Sequence, residues 1–117
     1  MTSLTYHVLL ALADGDRHGY GIIKEIEARA GESAAPSTGA LYLALQRLEQ
    51  AGWIEESPAR PGPEQDDARR RYYRLTLAGR RAAEGESRRL ATLLGVAVEK
   101  LLVPASALPS GKVRGEH

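Results

Sequence analysis

Residues 38 to 56 read Thr38-Gly39-Ala40-Leu41-Tyr42-Leu43-Ala44-Leu45-Gln46-Arg47-Leu48-Glu49-Gln50-Ala51-Gly52-Trp53-Ile54-Glu55-Glu56. Leu41, Ala44, Leu45 and Leu48 fall within about 100° of arc when wound as a helix, so this segment buries one stripe and shows the rest to solvent. Ser37 or Thr38 offers the N-cap and Gly52 the stop. After Gly52 the character changes at once, and Trp53 to Glu56 can form a short strand. A helix that passes through one glycine into a strand needs a second strand to pair with.

That strand is found downstream. Arg71-Tyr72-Tyr73-Arg74-Leu75-Thr76 alternates its faces, so one of the two tyrosines belongs to the core. Between the strands lie Pro58, Pro61, Gly62, Pro63, Glu64, Asp66 and Asp67, the composition of a long hairpin loop. Upstream, Leu4, Val8, Ala11 and Leu12 recur at helical spacing after Ser3, a candidate N-cap, and Asp14-Gly15-Asp16 ends the pattern. A second helix carries Ile22, Ile23, Ile26 and Ala30 and stops at Gly31.

From Thr76, a candidate cap, a long helix is expected to run to about Val103, where Pro104 ends it. Leu90, Leu94, Ala97 and Leu101 follow the 4-3-4 spacing of a coiled-coil seam, and Leu93, Val96 and Val98 widen it. Gly79, Gly85 and Gly95 inside it each cost about 1 kcal/mol relative to alanine, so the helix needs cover. The same helix of a second subunit supplies it most simply; folding back onto its own domain is the alternative. The expected organisation is therefore a winged helix-turn-helix domain over 1–76, a dimerisation helix over 77–103 and a disordered tail over 104–117. The fold class is mainly α: three helices and a two-stranded β wing, then a long C-terminal helix.

The composition agrees with one small soluble domain. The chain has 117 residues, a formal net charge of +1 and no cysteine, which excludes disulfides and thiolate chemistry. Its three histidines, 7, 18 and 117, form no metal-ligand pattern, so neither a metal nor any other cofactor is expected. Val8 to Ala13 is too short and lacks preceding basic residues for a signal segment, and no run is long enough to span a bilayer, so a cytoplasmic protein is expected. Charge is unevenly spread. Residues 1–57 hold four Lys or Arg against eight Asp or Glu, whereas residues 69–89 hold eight Arg against Glu84 and Glu86. Arginine suits bidentate contacts to phosphate and guanine; the alternative reading of the run at 69–71 is a solvated loop partly neutralised by Asp66 and Asp67. Enzyme chemistry is not expected: Gly19-Tyr20-Gly21 lacks the third glycine and the preceding strand of a dinucleotide fingerprint, and Gly31-Glu32-Ser33-Ala34-Ala35 lacks the second glycine of a nucleophile elbow.

With Leu41 to Leu48 turned inward, Gly39, Leu43, Gln46 and Gln50 point away from the core, and Thr38, Tyr42 and Arg47 lie at its margins. None is acidic, although Glu49 stands close to Tyr42. Such a leading end can approach a polyanion without repulsion, and Ser37, Thr38 and their backbone N–H groups can donate to phosphate. His18-Gly19-Tyr20-Gly21-Ile22, then Thr38-Gly39-Ala40-Leu41-Tyr42 with Leu45, Leu48, Glu49, Gly52 and Trp53-Ile54, then Arg71-Tyr72-Tyr73-Arg74-Leu75-Thr76 and Gly79, together resemble a PadR-type transcriptional regulator over residues 4 to 80. The resemblance implies a winged-helix repressor, usually a homodimer that reads palindromic double-stranded DNA, with a last helix that dimerises and helps to form a small-molecule effector pocket. Carried over residue by residue, it puts Tyr20 on phosphate, Ser37, Thr38, Gly39 and Tyr42 at the groove end of the third helix, and Arg70 and Arg71 at the base of the wing. The chain departs from the family in carrying Leu43 where proline is frequent.

The expected DNA-contacting set is thus Tyr20, Ser37, Thr38, Gly39, Tyr42, Leu43, Gln46, Arg47, Arg70 and Arg71; the expected dimer interface is Leu90, Leu93, Leu94, Ala97 and Leu101. Plainer readings stand beside these. Tyr42 can merely pack at the helix margin, Tyr20 can be a core aromatic, and His18 can be a satisfied turn residue. A winged-helix module that docks a protein through its last helix and touches no DNA is the alternative function.

Overall fold

The computed structural model describes residues 1–58 and 71–108. Most of the expected hairpin loop, with Arg70, lies outside the described residues, as does the expected tail from Pro109 onward. The chain forms two compact units, Met1–Glu86 and Ser87–His117.

The first unit runs α1 (Ser3–Leu12), β1 (Arg17–His18), α2 (Gly19–Ala30), a single 3-10 turn (Glu32–Ala34), α3 (Thr38–Ala51), β2 (Ile54–Glu56), β3 (Tyr72–Leu75) and the opening of α4 (Leu77–Glu99). Each start follows from a cap. Thr2, one residue before the expected Ser3, has extended backbone, and its side chain accepts from the Thr5 N–H at 3.1 Å. Ser37 does the same for α3, accepting from Ala40 at 3.1 Å, and Gly52 closes α3 in the left-handed conformation, its N–H turned back to the Leu48 and Glu49 carbonyls.

The sheet contains the expected two-stranded wing, β2 and β3, and adds a third strand to it. It has three antiparallel strands in the order β1-β3-β2, with Arg17 opposite Tyr73 and His18 opposite Tyr72 on one side, and Ile54, Glu55 and Glu56 opposite Leu75, Arg74 and Tyr73 on the other. β1 is two residues long, too short to carry an alternation of its own; the free edge of β3 makes it a strand. Arg74 Nε donates to Glu55 across the pair at 2.7 Å.

Val8, Leu9, Leu12, Ile22, Ile26, Leu41, Leu45, Leu48, Ile54 and Tyr73 form one core under the helices and sheet. Full burial of each large aliphatic contributes about 1.5–3 kcal/mol. The stripe read from α3 is the stripe that is buried, and of the tyrosine pair Tyr73 is the inward one. Trp53 packs against this core. Thr76 fastens the opening of α4 to the end of α3: its hydroxyl donates to the Gly52 carbonyl at 2.6 Å and accepts from Gly79 at 3.0 Å. Gly79 is buried, and a Cβ there would run into the Trp53 carbonyl, 2.8 Å from its carbon. The glycine that weakens the helix is thus what lets it approach β2.

In the second unit α4 ends at Glu99, four residues before the expected Val103. Leu102 N–H reaches back to Ala97 O at 2.9 Å and Leu101 N–H to Val98 O at 3.0 Å, the paired bonds of a Schellman stop. Leu101 takes the left-handed position usual for glycine, φ 63°, at a cost of about 1–2 kcal/mol. Leu101 therefore does not extend a helical seam: it stands past the helix end and is 89% exposed. Leu90, Leu93 and Val96 are also exposed, and Leu94 and Ala97 are half-buried. A 3-10 turn at Ala105–Ala107 orders the start of the segment expected to be a tail.

Candidate nucleic-acid interface

The residues of α3 that are not needed for the core form one open face. Ser37, Thr38, Gly39, Tyr42, Leu43, Gln46 and Arg47 are all exposed. No carboxylate lies between Ser37 and Arg47. The first-turn amides have no helix carbonyl to serve, and they carry the positive end of the helix dipole.

This face has two flanks. On one, Tyr42 leans across onto the start of α2. Gly19 is buried beneath it, and a Cβ on Gly19 would overlap the Tyr42 hydroxyl and stand 2.7 Å from Cζ. Tyr42 stays 40% exposed, so it both packs at the margin and presents a surface. Tyr20, which follows, is 60% exposed and is no core aromatic. On the other flank Leu43 and Arg47 border an apolar groove of about 580 Å³ shared with Met1, Leu4, Leu48 and Trp53. Arg71 is exposed just before β3, while Arg70 lies outside the described residues.

Several cations of the first unit are engaged by carboxylates. Arg17 donates from Nε to Ala11 O at 2.7 Å and lies within 3.5 Å of both Asp14 and Glu25. Arg29 also pairs with Glu25. Arg74 is held by Glu55. Arg47 and Arg71 are exposed and form no ion pair among the described residues.

Sequence reasoning missed Lys24 here. Lys24 places Nζ 5.5 Å from the centre of the Tyr20 ring and 3.3 Å from Glu27. Glu27, and then Tyr20, push its ammonium above the ordinary lysine value. The signal was the four-residue spacing from Tyr20, one turn along the helix. His18, read as a satisfied turn residue, is one: it caps α2, its Nδ1 accepting from the Gly21 N–H at 3.0 Å.

The model of the transcriptional regulator PadR-like family matches residues 8–85 of this chain. The chain belongs to that family. Among solved structures, a PadR family transcription regulator from Clostridium difficile is similar to it with a TM-score of 0.70 and 27% identity, over 86% of this chain and 99% of that one. A transcriptional regulator from Clostridium thermocellum is similar with a TM-score of 0.68 and 26% identity, over 85% and 96% of the two chains. Among curated proteins, an uncharacterized 37.1 kDa transposon protein of Streptomyces fradiae is 41% identical over 88 residues, 75% of this chain. The uncharacterized protein X of Lysinibacillus sphaericus is 37% identical over 73 residues, 62% of this chain. The chain spans 23% of the length of the first and 64% of the second. Matched residues of the PadR-like model include all of α2, α3 and the described wing strands, the elements that carry the open face.

Proposed function

We propose that this chain is a dimeric, sequence-specific DNA-binding repressor that sets α3 into the major groove of a palindromic operator. The observation that carries the reading is the exposed leading end of α3, free of carboxylates from Ser37 to Arg47, opposite the buried Leu41, Leu45 and Leu48. Gln46 has the amide geometry to pair with adenine, Leu43 and the Gly39 backbone can approach a base edge, and Ser37, Thr38, Tyr20 and Arg47 are suited to phosphate. Arg70 and Arg71 would reach the backbone or the neighbouring minor groove from the wing. The acidic balance of residues 1–57 keeps nonspecific attraction low, so affinity rests on these few contacts.

Two copies are needed for a two-fold operator, with half-sites about one helical turn apart. The exposed Leu90 and Leu93, with the half-buried Leu94 and Ala97, support pairing through the second unit. A small molecule taken up by apolar surface there would change the half-site spacing and release the operator. In this reading the protein works in the cytoplasm and is not an enzyme.

Fluorescence anisotropy with a duplex from the region upstream of the gene tests the proposal. Wild-type protein should bind at a far lower concentration than to a scrambled duplex, and Tyr42→Ala should lose that preference. Equal affinity for both duplexes would refute sequence reading.

A further inference from the structure

The turn that opens α2 holds a histidine where a hydroxyl or carboxylate residue ordinarily stands. His18 does three things there. Its Nδ1 accepts the Gly21 N–H at 3.0 Å. Its ring stacks on that of Tyr20, centroids 6.3 Å apart and planes 21° from parallel. The same ring meets Tyr72 edge-on at 5.1 Å, and the His18 backbone pairs with Tyr72 in the sheet. Serine, asparagine or aspartate would cap the helix as well, but none offers a ring. The ring therefore has a use beyond the cap, and that use lies against Tyr20, a 60% exposed phenol.

We propose that His18 is a positioning residue for DNA binding, its ring bracing Tyr20 from the sheet side so that the phenol stands ready for a phosphate oxygen. This rests on the reading above that Tyr20 touches the DNA strand. The brace has a mechanical logic. Tyr72 is held in the sheet, His18 is held by Tyr72 and by its cap, and Tyr20 is met by the His18 ring and by the Lys24 ammonium. A side chain ordered before binding loses less entropy when the ligand arrives. Gly19, between the two rings in sequence, lies under Tyr42, so the α2 turn and the open face of α3 meet at one residue.

The test separates the cap from the ring. His18→Asn keeps an acceptor suited to an N-cap and removes the ring. Its thermal midpoint should fall less than that of His18→Ala, because only the ring contacts are lost, while its affinity for the upstream duplex falls by about fivefold. The slope of log K against log salt should stay that of wild type, because a neutral phenol neutralises no phosphate and releases no counterion. In a Tyr20→Phe background, where the phenol is already lost, His18→Asn should leave the affinity unchanged. His18→Ala removes cap and ring together and should lower the thermal midpoint further. If His18→Asn binds with wild-type affinity, or weakens Tyr20→Phe as much as it weakens wild type, the positioning role is overturned. If Tyr20→Phe alone leaves affinity unchanged while wild type still prefers its upstream duplex, the phosphate contact assigned to Tyr20 is wrong and the brace falls with it, but DNA reading by α3 survives.

Discussion

The two units of the molecule treat their leucines in opposite ways. In Met1–Glu86, Leu9, Leu12, Leu41, Leu45 and Leu48 are all buried, and of its leucines only Leu43 on α3 and Leu77 at the start of α4 are exposed. In Ser87–His117, Leu90, Leu93, Leu101 and Leu102 are between 37% and 89% exposed. The first unit has its helix caps made and its core buried. The second leaves several large apolar side chains exposed to water. Substitutions should therefore damage folding in the first and assembly in the second.

The sharpest contrast comes from leucine truncation. Leu45→Ala should destabilise the chain by about 3 kcal/mol, read as a large drop in thermal midpoint. Leu93→Glu should leave that core intact and instead move the protein from dimer to monomer in sedimentation or light scattering. A monomeric wild type at micromolar concentration would remove the contrast. Next in size, Gly79→Ala should cost about 2 kcal/mol, because the new methyl meets the Trp53 carbonyl, whereas the same change at Gly85, which has open space around its Cα, should stabilise by about 1 kcal/mol. Equal effects at both would mean that the approach of α4 to β2 is looser than described.

A smaller effect is expected on the wing. Arg71→Ala should weaken binding to all duplexes alike and make the salt slope shallower by about 0.9, the mark of a phosphate contact and not of base reading. The smallest is a matter of pH. Burial first, and then the nearby charge of Glu49, push the Tyr73 phenol above its ordinary value of about 10. The unfolded chain then ionises before the folded one, so Tyr73 contributes stability that is whole below pH 10 and lost as the pH climbs through the folded value. Tyr73→Phe should flatten that alkaline decline in a denaturation series.

The fold was legible where local and long-range forces agree. The α3 stripe, the Gly52 stop, the Ser37 and Thr76 caps and the inward tyrosine all follow from period and cap chemistry, and all are found. What escaped depends on partners distant in sequence. β1 exists because β3 has an open edge, and no two-residue segment can announce that by itself. The early end of α4 comes from Leu101 accepting a glycine conformation, against its own preference. At the site, exposure of the α3 face could be derived from helix geometry. The lean of Tyr42 over Gly19 and the His18 brace could not, because both rest on ring placement between elements. The family likeness supplied Tyr20; the spacing to Lys24 was present and went unread.

The central claim is that DNA meets the protein at α3. Amide chemical shifts of the labelled protein, followed as the upstream duplex is added, test it most directly. The account predicts the largest movements at Ser37 to Arg47 and at Tyr20, with the amides of Leu90 to Ala97 little changed. Movements confined to the second unit, with the α3 amides still, would contradict it.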